Sequence, residues 1–387
     1  FYGDEWLVYS LLRAGETIKQ DKLDAYYESV VEKVKTWSNS KKPTEIERVA
    51  LALSIIGKDI TNIEGINLAE MIYNSRRLQI GANELTYALI ALDAKDTNIP
   101  KDALWSREKM ISELLKFQNS KTGGFGLTDN KTTSVDVTAM ALQALAKYKG
   151  SNEDVDKAIE NALKYLKSNM SKKYDFGTPE SSAQVLLALT TLKIDPLSQN
   201  NGFGTNNRNI ITRLMEYFDS KTGGFTRNIG DKKPMEMTTV QVLQALTSYQ
   251  RYINREKSYW DLTNSKDDTG NNPGDGSEDK DDTGNNPGNG SEDKDDTGNN
   301  PGDGSEDKDD TGNNPGNGSE DKDDTGSNPG DGSEDKDDTE NNPGNESTGK
   351  DDNVSTGDES IIIYVFIMVL ATLGLLVSFN RKYITKK

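Results

Sequence analysis

Six acidic side chains stand where six apolar helical segments begin, and they are the residues here whose chemistry could serve a site. They are Glu5, Glu45, Glu84, Asp136, Glu180 and Glu236. If the six helix starts share one face of the fold, the carboxylates form an acidic mouth. Such a mouth holds a polar ligand or supports general acid–base catalysis on a polysaccharide. The alternative is structural, because an acidic side chain in the first turn stabilises the positive end of a helix. We favour this structural role over a functional cluster of the six acids.

The residue types that are missing narrow the chemistry further. The chain has no Cys and no His, which excludes thiol nucleophiles, disulfides, imidazole bases and nearly all zinc sites. The sequence therefore predicts no metal site and no cofactor. Residues 1–265 carry a net charge of only +2 and show no stripe of clustered Lys and Arg, so nucleic acid is not an expected partner.

A glycine-containing stretch occurs twice. NSKTGGFG at residues 119–126 returns as DSKTGGF at 219–225. A phosphate-binding loop follows a strand, places its glycines before a Lys-Ser/Thr pair and leads into a helix. Here a helix precedes the stretch and the order of residues is reversed. The pattern instead predicts a turn in which Gly123 or Gly124 ends the preceding helix and Phe125 packs back against the fold.

The segments that carry the six acids are predicted to be buried helices. They are apolar on most sides and begin about 40 to 56 residues apart, which indicates a repeat. Amphipathic segments lie between them; in NEDVDKAIENALKYL, Val155, Ile159 and Leu166 share one apolar stripe. Alternating helices of these two kinds form either two concentric layers or an open superhelical stack. Because a stack makes both helices of each pair amphipathic, we favour a closed ring.

Four stretches carry a family resemblance. LKFQNSKTGGFG, DVTAMALQAL, ESSAQVLLAL and EMTTVQVLQAL are similar to the QW-type repeats of the squalene cyclase and prenyltransferase superfamily. The fold that this resemblance implies is an all-α domain, an α/α toroid with inner and outer helix layers, over residues 1–264. The stretches look most like the toroid domains of Gram-positive bacterial surface proteins, relatives of the vitamin B12 carriers intrinsic factor and transcobalamin.

The same resemblance implies that catalysis is not the expected activity. Cyclases of the superfamily protonate an alkene with the middle Asp of D-x-D-D-T-A, and Asp136 in SVDVTA matches that residue. Ser134 and Val137 replace the supporting acids, so Asp136 is only a weak catalytic candidate. The zinc site of prenyltransferases and the thioester of complement-type toroids need Cys or His. The B12 carriers complete their site with a β domain, which the sequence does not predict after residue 264.

Residues 265–352 are predicted to be a disordered acidic linker. A fourteen-residue unit, KDDTGNNPGDGSED, occurs six times from Lys266, and residues 266–360 carry a net charge of −24. No residue of the unit can bury apolar surface, so ordering it would cost conformational entropy without compensation. The calcium-loop spacing D-x-[DN]-x-[DN]-G does not occur in it. We therefore expect a self-repelling stalk.

Residues 353–387 have the layout of a cell-surface anchor. The run 361–379 consists of nineteen apolar or small residues, enough to cross a bilayer as a helix. The basic tail 380–387 is expected on the cytoplasmic side, which places everything before residue 361 outside the cell. The membrane is thus an expected partner through residues 361–379.

A sorting-like motif precedes this run. NVSTGD at 353–358 resembles the L-P-x-T-G signal of Gram-positive surface proteins, and Thr356 and Gly357 match the bond that sortase cleaves. Asn353 and Val354 depart from that signal. Attachment to the cell wall by sortase and permanent insertion in the membrane are both open.

These features predict a surface protein, either single-pass or wall-anchored, whose N-terminal domain is extracellular. The leading functional expectation is a binding module displayed on a stalk, with a corrinoid-like small molecule or a surface glycan as its ligand. Two alternatives remain: an extracellular polysaccharide-active enzyme that uses carboxylates at the mouth, and a purely structural or adhesive surface protein.

Overall fold

A computed structural model describes residues 1–38, 40–205 and 208–263 of the chain. The predicted stalk, the sorting-like motif with Thr356 and Gly357, the predicted membrane span 361–379 and the basic tail lie outside these residues. Within the three described ranges, no helix combines the length and the apolar character needed to cross a bilayer.

The described residues are predominantly helical, which confirms the all-α prediction. The helices are α1 Glu5–Arg13, α2 Gln20–Val34, α3 Pro43–Ile55, α4 Leu68–Tyr73, α5 Ala82–Asp93, α6 Arg107–Leu115, α7 Val135–Leu145, α8 Glu153–Asn169, α9 Pro179–Thr191, α10 Ile210–Met215 and α11 Glu236–Ile253. The strands are two-residue pairs: β1 Phe125–Gly126 with β2 Thr133–Ser134, β3 Gly204–Thr205 with β4 Arg208–Asn209, and β5 Phe218–Asp219 with β6 Gly224–Phe225.

Six helices begin at the predicted acidic starts and form the core. These six buried helices are α1, α3, α5, α7, α9 and α11. Each contacts the next one in this series, and α11 contacts α1, so the contacts run in cyclic order. Their side chains are enclosed on most sides; in α9, every residue from Pro179 to Thr190 is buried. Continuous apolar sequence is what such an environment requires.

Amphipathic helices pack against four of the six buried helices. The even-numbered helices α4, α6, α8 and α10 contact α3, α5, α7 and α9, respectively. The stripe predicted for α8 is confirmed, because Val155, Ile159 and Leu166 are buried there while the opposite face is charged. Burial of such stripes supplies most of the stability of a helix in a protein.

The repeated glycine stretch is a connection between a covering helix and the next buried helix. Gly123 has a left-handed backbone, with φ +80°, as predicted. However, α6 ends earlier, at Leu115, so Gly123 shapes the following loop and does not terminate the helix. The loop approaches α8 closely: a Cβ added at Gly123 would lie 2.4 Å from the carbonyl oxygen of Asn161. Glycine is needed for this approach as well as for the turn.

One hydrogen bond recurs where these loops meet the buried helices. The backbone N–H groups of Phe125, Phe176 and Phe225 donate to the side-chain hydroxyls of Thr138, Ser182 and Thr239, at 2.8, 3.1 and 2.9 Å. Each hydroxyl belongs to the fourth residue of α7, α9 or α11. The bond therefore sets where each of these buried helices starts relative to the preceding loop.

The residues that follow α11 are not helical and pack on the carboxyl ends of other buried helices. In this 254–263 segment, the carbonyl of Tyr259 accepts from Arg13 Nε at 2.7 Å, and the indole N–H of Trp260 donates to Gln143 at 3.0 Å. The backbone N–H of Leu262 donates to the carbonyl of Ala94 at 2.8 Å. The segment thus joins α1, α5 and α7.

Candidate functional site

A cavity of about 380 Å³ lies at the amino ends of α1, α3 and α5. We call it the helix-start cavity. Its lining combines aromatic, charged and amide side chains: Trp6, Lys42, Thr44, Arg48, Ile80, Gly81, Asn83, Glu84, Tyr87, Leu127, Thr128 and Met140. Such a mixture of apolar walls and a few polar groups is typical of small-molecule sites.

The loop before α7 closes one side of this cavity. The backbone N–H of Ala82, the first residue of α5, donates to the carbonyl of Leu127 at 2.8 Å. The preceding Gly81 has an extended backbone, and a Cβ added there would lie 2.8 Å from the same carbonyl oxygen. A side chain at position 81 would therefore push Leu127 and Thr128 away from the start of α5.

Two of the six predicted acids reach the helix-start cavity. Glu84 lines it directly. Glu5 is fully buried beside it, with one oxygen 3.0 Å from Nε of Arg48, which also lines the cavity. The backbone N–H of Gly3 donates to the other oxygen of Glu5 at 2.8 Å. The charge of Arg48 is therefore largely compensated before any ligand arrives.

The other four acids are dispersed and are not in the cavity lining. Glu45 contacts Lys41 at 2.7 Å and accepts from the hydroxyl of Tyr2. Glu180 accepts from the hydroxyl of Thr238 and lies 3.5 Å from Arg227. These contacts are with other side chains, so both acids have polar partners within the fold.

Asp136 and Glu236 differ from each other in exposure. Asp136 is half-buried in the first turn of α7, and its Oδ1 atom has no hydrogen-bond partner within the described ranges. Glu236 is exposed as the first residue of α11. The structure therefore gathers Glu5 and Glu84 at one cavity and leaves the rest of the predicted mouth distributed over separate helix starts.

Glu47 is the residue that sequence analysis missed. It lies in the second turn of α3 and is fully buried, and neither of its carboxylate oxygens has a hydrogen-bond partner in the described part of the chain. Burial raises the pKa of Glu47 well above its ordinary value, and the charge of Glu84 raises this pKa further. The available signal was an acidic residue inside the apolar stretch TEIERVALAL, only two positions after Glu45.

Aromatic rings connect the helix-start cavity with the 254–263 segment. The ring centroids of Trp6 and Tyr87 are 5.6 Å apart, and Trp260 lies 6.1 Å from Trp6 and 6.4 Å from Tyr87. The hydroxyl of Tyr87 donates to the sulfur of Met140 at 3.3 Å. Burial raises the pKa of Tyr87, and the charge of Glu47 adds to this effect.

No family model, curated protein or solved structure matches the chain. In the described ranges, no three Asp, Glu, His or Cys side chains are grouped so that they could hold a metal ion. What the helix-start cavity offers is an aromatic wall formed by Trp6 and Tyr87, with the carboxyl group of Glu84 beside it. Glu47 is fully enclosed and is not part of the lining.

A second cavity, of about 530 Å³, lies where the 254–263 segment meets the carboxyl ends of α5, α7 and α9. Most charged groups of this cavity are paired with other side chains. Asp93 accepts from Arg107 Nε at 2.6 Å and from the hydroxyl of Tyr148 at 2.5 Å, and Lys147 pairs with Asp96. Because these charged groups are already paired with other side chains, we assign this cavity a structural role.

Proposed function

We propose that the chain is a surface-anchored extracellular binding module whose ligand enters the helix-start cavity. The observation that carries this proposal is the lining of that cavity, in which Trp6 and Tyr87 face polar groups that include Glu84 and Asn83. Aromatic faces next to carboxylate and amide groups suit both a sugar ring and a compact polar small molecule.

The proposed architecture is an α/α toroid, with the six buried helices as its inner layer and the even-numbered helices as its outer layer. The cyclic order of contacts among the buried helices supports a closed ring over an open stack, in which the first and last repeats would not meet. The resemblance to the squalene cyclase and prenyltransferase superfamily supports the same architecture.

The proposed mode of display depends on the sequence beyond residue 264. The acidic repeat 265–352 acts as a stalk, residues 361–379 span the membrane, and the motif with Thr356 and Gly357 offers a bond for sortase. A stalk with this charge and no apolar residues keeps a binding module away from the envelope. Membrane, cell wall and an extracellular ligand are the proposed partners.

The test is ligand-dependent stability of the full-length chain in detergent micelles. Cobalamin and a panel of oligosaccharides are added while thermal unfolding and tryptophan fluorescence are recorded. A ligand at 100 times its Kd stabilises the fold by about 2.7 kcal/mol. This shift is expected to be lost in Glu84→Ala and kept in Glu236→Ala, which changes an exposed helix-start acid outside the cavity. A shift that survives in Glu84→Ala contradicts the assignment of the site.

A polysaccharide-active enzyme is the second candidate function. The observation that favours it is the raised pKa of Glu47, which burial causes and the charge of Glu84 increases, since acid–base catalysis on glycosidic bonds uses two carboxyl groups in different protonation states. The full enclosure of Glu47 favours binding instead. Release of reducing ends from polysaccharide, lost in Glu84→Gln, would support the enzyme. A triple variant of Asp136, Glu180 and Glu236 tests the other acids. Loss of turnover would indicate a catalytic role, and a lower melting temperature would indicate a structural one.

A further inference from the structure

We propose that a small anion binds between the carboxyl ends of α9 and α11, where Lys193 and Arg255 hold its negatively charged oxygen atoms. A cavity of about 260 Å³ lies there, and we call it the α9–α11 cavity. Its lining includes Thr190, Lys193, Ser248, Tyr252, Arg255 and Ser258. The inference goes beyond the proposed function, because it concerns carboxyl ends of buried helices and not the amino ends that form the helix-start cavity.

The first argument is the way in which the buried helices end. In α1, α3, α5, α9 and α11, a backbone N–H after the last turn donates to the carbonyl five residues before it, at 2.8 to 3.0 Å. These bonds join Glu16 to Leu11, Lys58 to Leu53, Thr97 to Leu92, Ile194 to Leu189 and Glu256 to Arg251. The residue just before each donor has a left-handed backbone. Glycine is favoured at such a helix end, because it has no Cβ.

The residue at this left-handed position differs among the helices. In α1 and α3 it is Gly15 and Gly57, with φ +82° and +83°. In α9 and α11 it is Lys193 and Arg255, with φ +59° and +58°, and both of these residues line the α9–α11 cavity. A long side chain in this conformation has a cost for stability that glycine avoids. Because strain of this kind clusters at ligand sites, the two cations indicate a function for the cavity that they line.

The second argument is the balance of charge in the α9–α11 cavity. The side chains of Lys193 and Arg255 have no ion-pair or hydrogen-bond partner among the described residues. The acidic residue of the lining, Glu256, is paired with Arg251 at 2.8 Å and accepts from the side-chain amide of Asn254 at 2.9 Å. The cavity therefore presents two positive charges that no other group in the described part of the chain neutralises.

The third argument is the supply of hydrogen-bond donors. Ser258 and Tyr252 line the cavity, and their hydroxyl groups have no hydrogen-bond partner within the described ranges. Thr190 and Ser248 are buried and their hydroxyl groups bond to each other at 2.6 Å, so this pair forms a closed wall. Free N–H and O–H donors, together with positive charge, are what the oxygen atoms of an anion require.

The size of the cavity and its two cations favour a compact anion such as a phosphate or a dicarboxylate. A guanidinium group binds either one through two parallel N–H bonds, and a lysine adds a point charge. The volume of about 260 Å³ lies below the range of about 300–1,000 Å³ that is usual for drug-sized ligands. Phosphate and carboxylate share the chemistry that Lys193 and Arg255 recognise, so the experiment includes both.

The experiment compares anions with a neutral molecule of matching shape. Inorganic phosphate and succinate are the anions, and succinamide has the frame of succinate without its charge. Binding to the full-length chain in non-ionic detergent micelles is measured by isothermal titration calorimetry at a constant ionic strength. We expect phosphate or succinate to bind saturably, and at least tenfold more tightly than succinamide. The order of affinity between the two anions distinguishes a phosphate site from a carboxylate site.

Two variants remove the cations without straining the backbone. Lys193→Gly and Arg255→Gly each place glycine at a left-handed position, so the unfolding temperature without ligand is not expected to fall. Each variant is expected to weaken anion binding at least tenfold.

Two control variants are matched to these changes. Asp96→Gly makes the same backbone change at the end of α5, where Asp96 has φ +50° and lies outside the α9–α11 cavity. Lys149→Ala removes an exposed lysine that follows α7 and is not part of the lining. Both controls are expected to bind the anion as tightly as the wild type does.

Three results would overturn the anion site. They are no binding of phosphate or succinate, equal affinity for succinate and succinamide, and anion binding that survives both Lys193→Gly and Arg255→Gly. A loss in Lys149→Ala as large as in these two variants would also overturn it, because the effect would then be one of general charge. None of these results bears on the helix-start cavity, whose own variant Glu84→Ala is expected to keep anion binding between α9 and α11.

Discussion

Among single residues, Glu47 has a cost for stability, because its carboxyl group is fully buried and neither oxygen has a hydrogen-bond partner among the described residues. Thr86 is a second buried side chain whose hydroxyl has no partner among the described residues. Neither residue lines the helix-start cavity.

The pH dependence of stability tests the state of Glu47. Because its pKa is raised in the folded protein, its contribution is complete below the ordinary value of about 4.5 and is lost as pH rises through the raised folded value. Glu47→Gln does not ionise. We therefore expect the free energy of unfolding of Glu47→Gln to exceed that of the wild type by about 1 kcal/mol or more at pH 8.

Urea unfolding between pH 4 and pH 8 measures this difference. The difference is expected to shrink as pH falls to 4.5 and below, because the wild-type side chain is then increasingly protonated in the unfolded chain as well as in the folded one. The exposed Glu236→Gln is the control and shows no such trend. A difference that widens toward low pH would mean that Glu47 is stabilised as a carboxylate.

At the scale of elements, the recurring hydrogen bond from a loop Phe to the fourth residue of a buried helix places three helix starts. Thr138 also donates its own hydroxyl proton to the carbonyl of Ser134 at 2.6 Å, so its side chain fastens both the loop and the first turn of α7. Similar donations from Ser182 and Thr239 reach Thr178 and Met235.

Thr138→Val tests this bond at constant volume. The substitution leaves the buried N–H of Phe125 unpaired, which costs about 1–3 kcal/mol of unfolding free energy. The matched control is Thr86→Val, the same change at another buried threonine, whose hydroxyl has no hydrogen-bond partner among the described residues. This variant is expected to leave stability unchanged or to raise it. Equal losses in the two variants would show that the hydrogen bond contributes nothing specific.

The 254–263 segment is the second element-scale feature, and Trp260 is its main contact. Only 6 % of this side chain is exposed, and its ring meets Trp6, Tyr9, Tyr87 and Tyr259. Trp260→Ala is expected to lower the free energy of unfolding by about 3–5 kcal/mol. Trp260→Phe keeps an aromatic ring and is expected to lower the free energy of unfolding by less, because it removes chiefly the hydrogen bond to Gln143.

Urea unfolding followed by far-UV circular dichroism compares these two variants with the wild type. A loss below about 1 kcal/mol in Trp260→Ala would show that the segment contributes little to the fold. A large loss means that the chain between α11 and the proposed stalk is an integral part of the folded domain.

For the whole molecule, charge divides the chain into regions with different roles. Residues 1–265 are almost neutral, residues 266–360 carry −24, and the four basic residues after 379 follow the apolar run. Deletion of 361–387 is expected to move the protein from the cell envelope into the medium, because both proposed modes of attachment need this region. Immunoblots of the medium, wall and membrane fractions measure the change.

A shorter deletion is the control for this experiment. Removal of 266–279, one copy of the fourteen-residue unit, leaves the protein in the envelope. Thr356→Ala combined with Gly357→Ala moves it from the wall fraction to the membrane fraction if sortase acts, and has no effect if the span itself is the anchor. Retention of the 361–387 deletion in the envelope would contradict surface anchoring by this region.

The sequence by itself determined which segments are helical and which of them are buried. Helix formation and burial depend on residues three or four positions apart. The apolar runs before and after Glu84, Asp136 and Glu180 therefore show both properties in the local sequence. The acidic helix starts were visible for the same reason. The glycine pattern predicts the end of α6 too late in the sequence, because the glycines that signal a turn belong to the loop that follows this helix.

Only the tertiary structure decided how the acids are used. Glu5 contacts Arg48, and Trp260 donates a hydrogen bond to Gln143, across separations of about 40 to more than 100 residues. No local sequence pattern predicts such contacts, because they depend on how the buried helices pack against one another. That packing encloses Glu47, places Glu84 in the lining of the helix-start cavity and leaves Glu236 exposed.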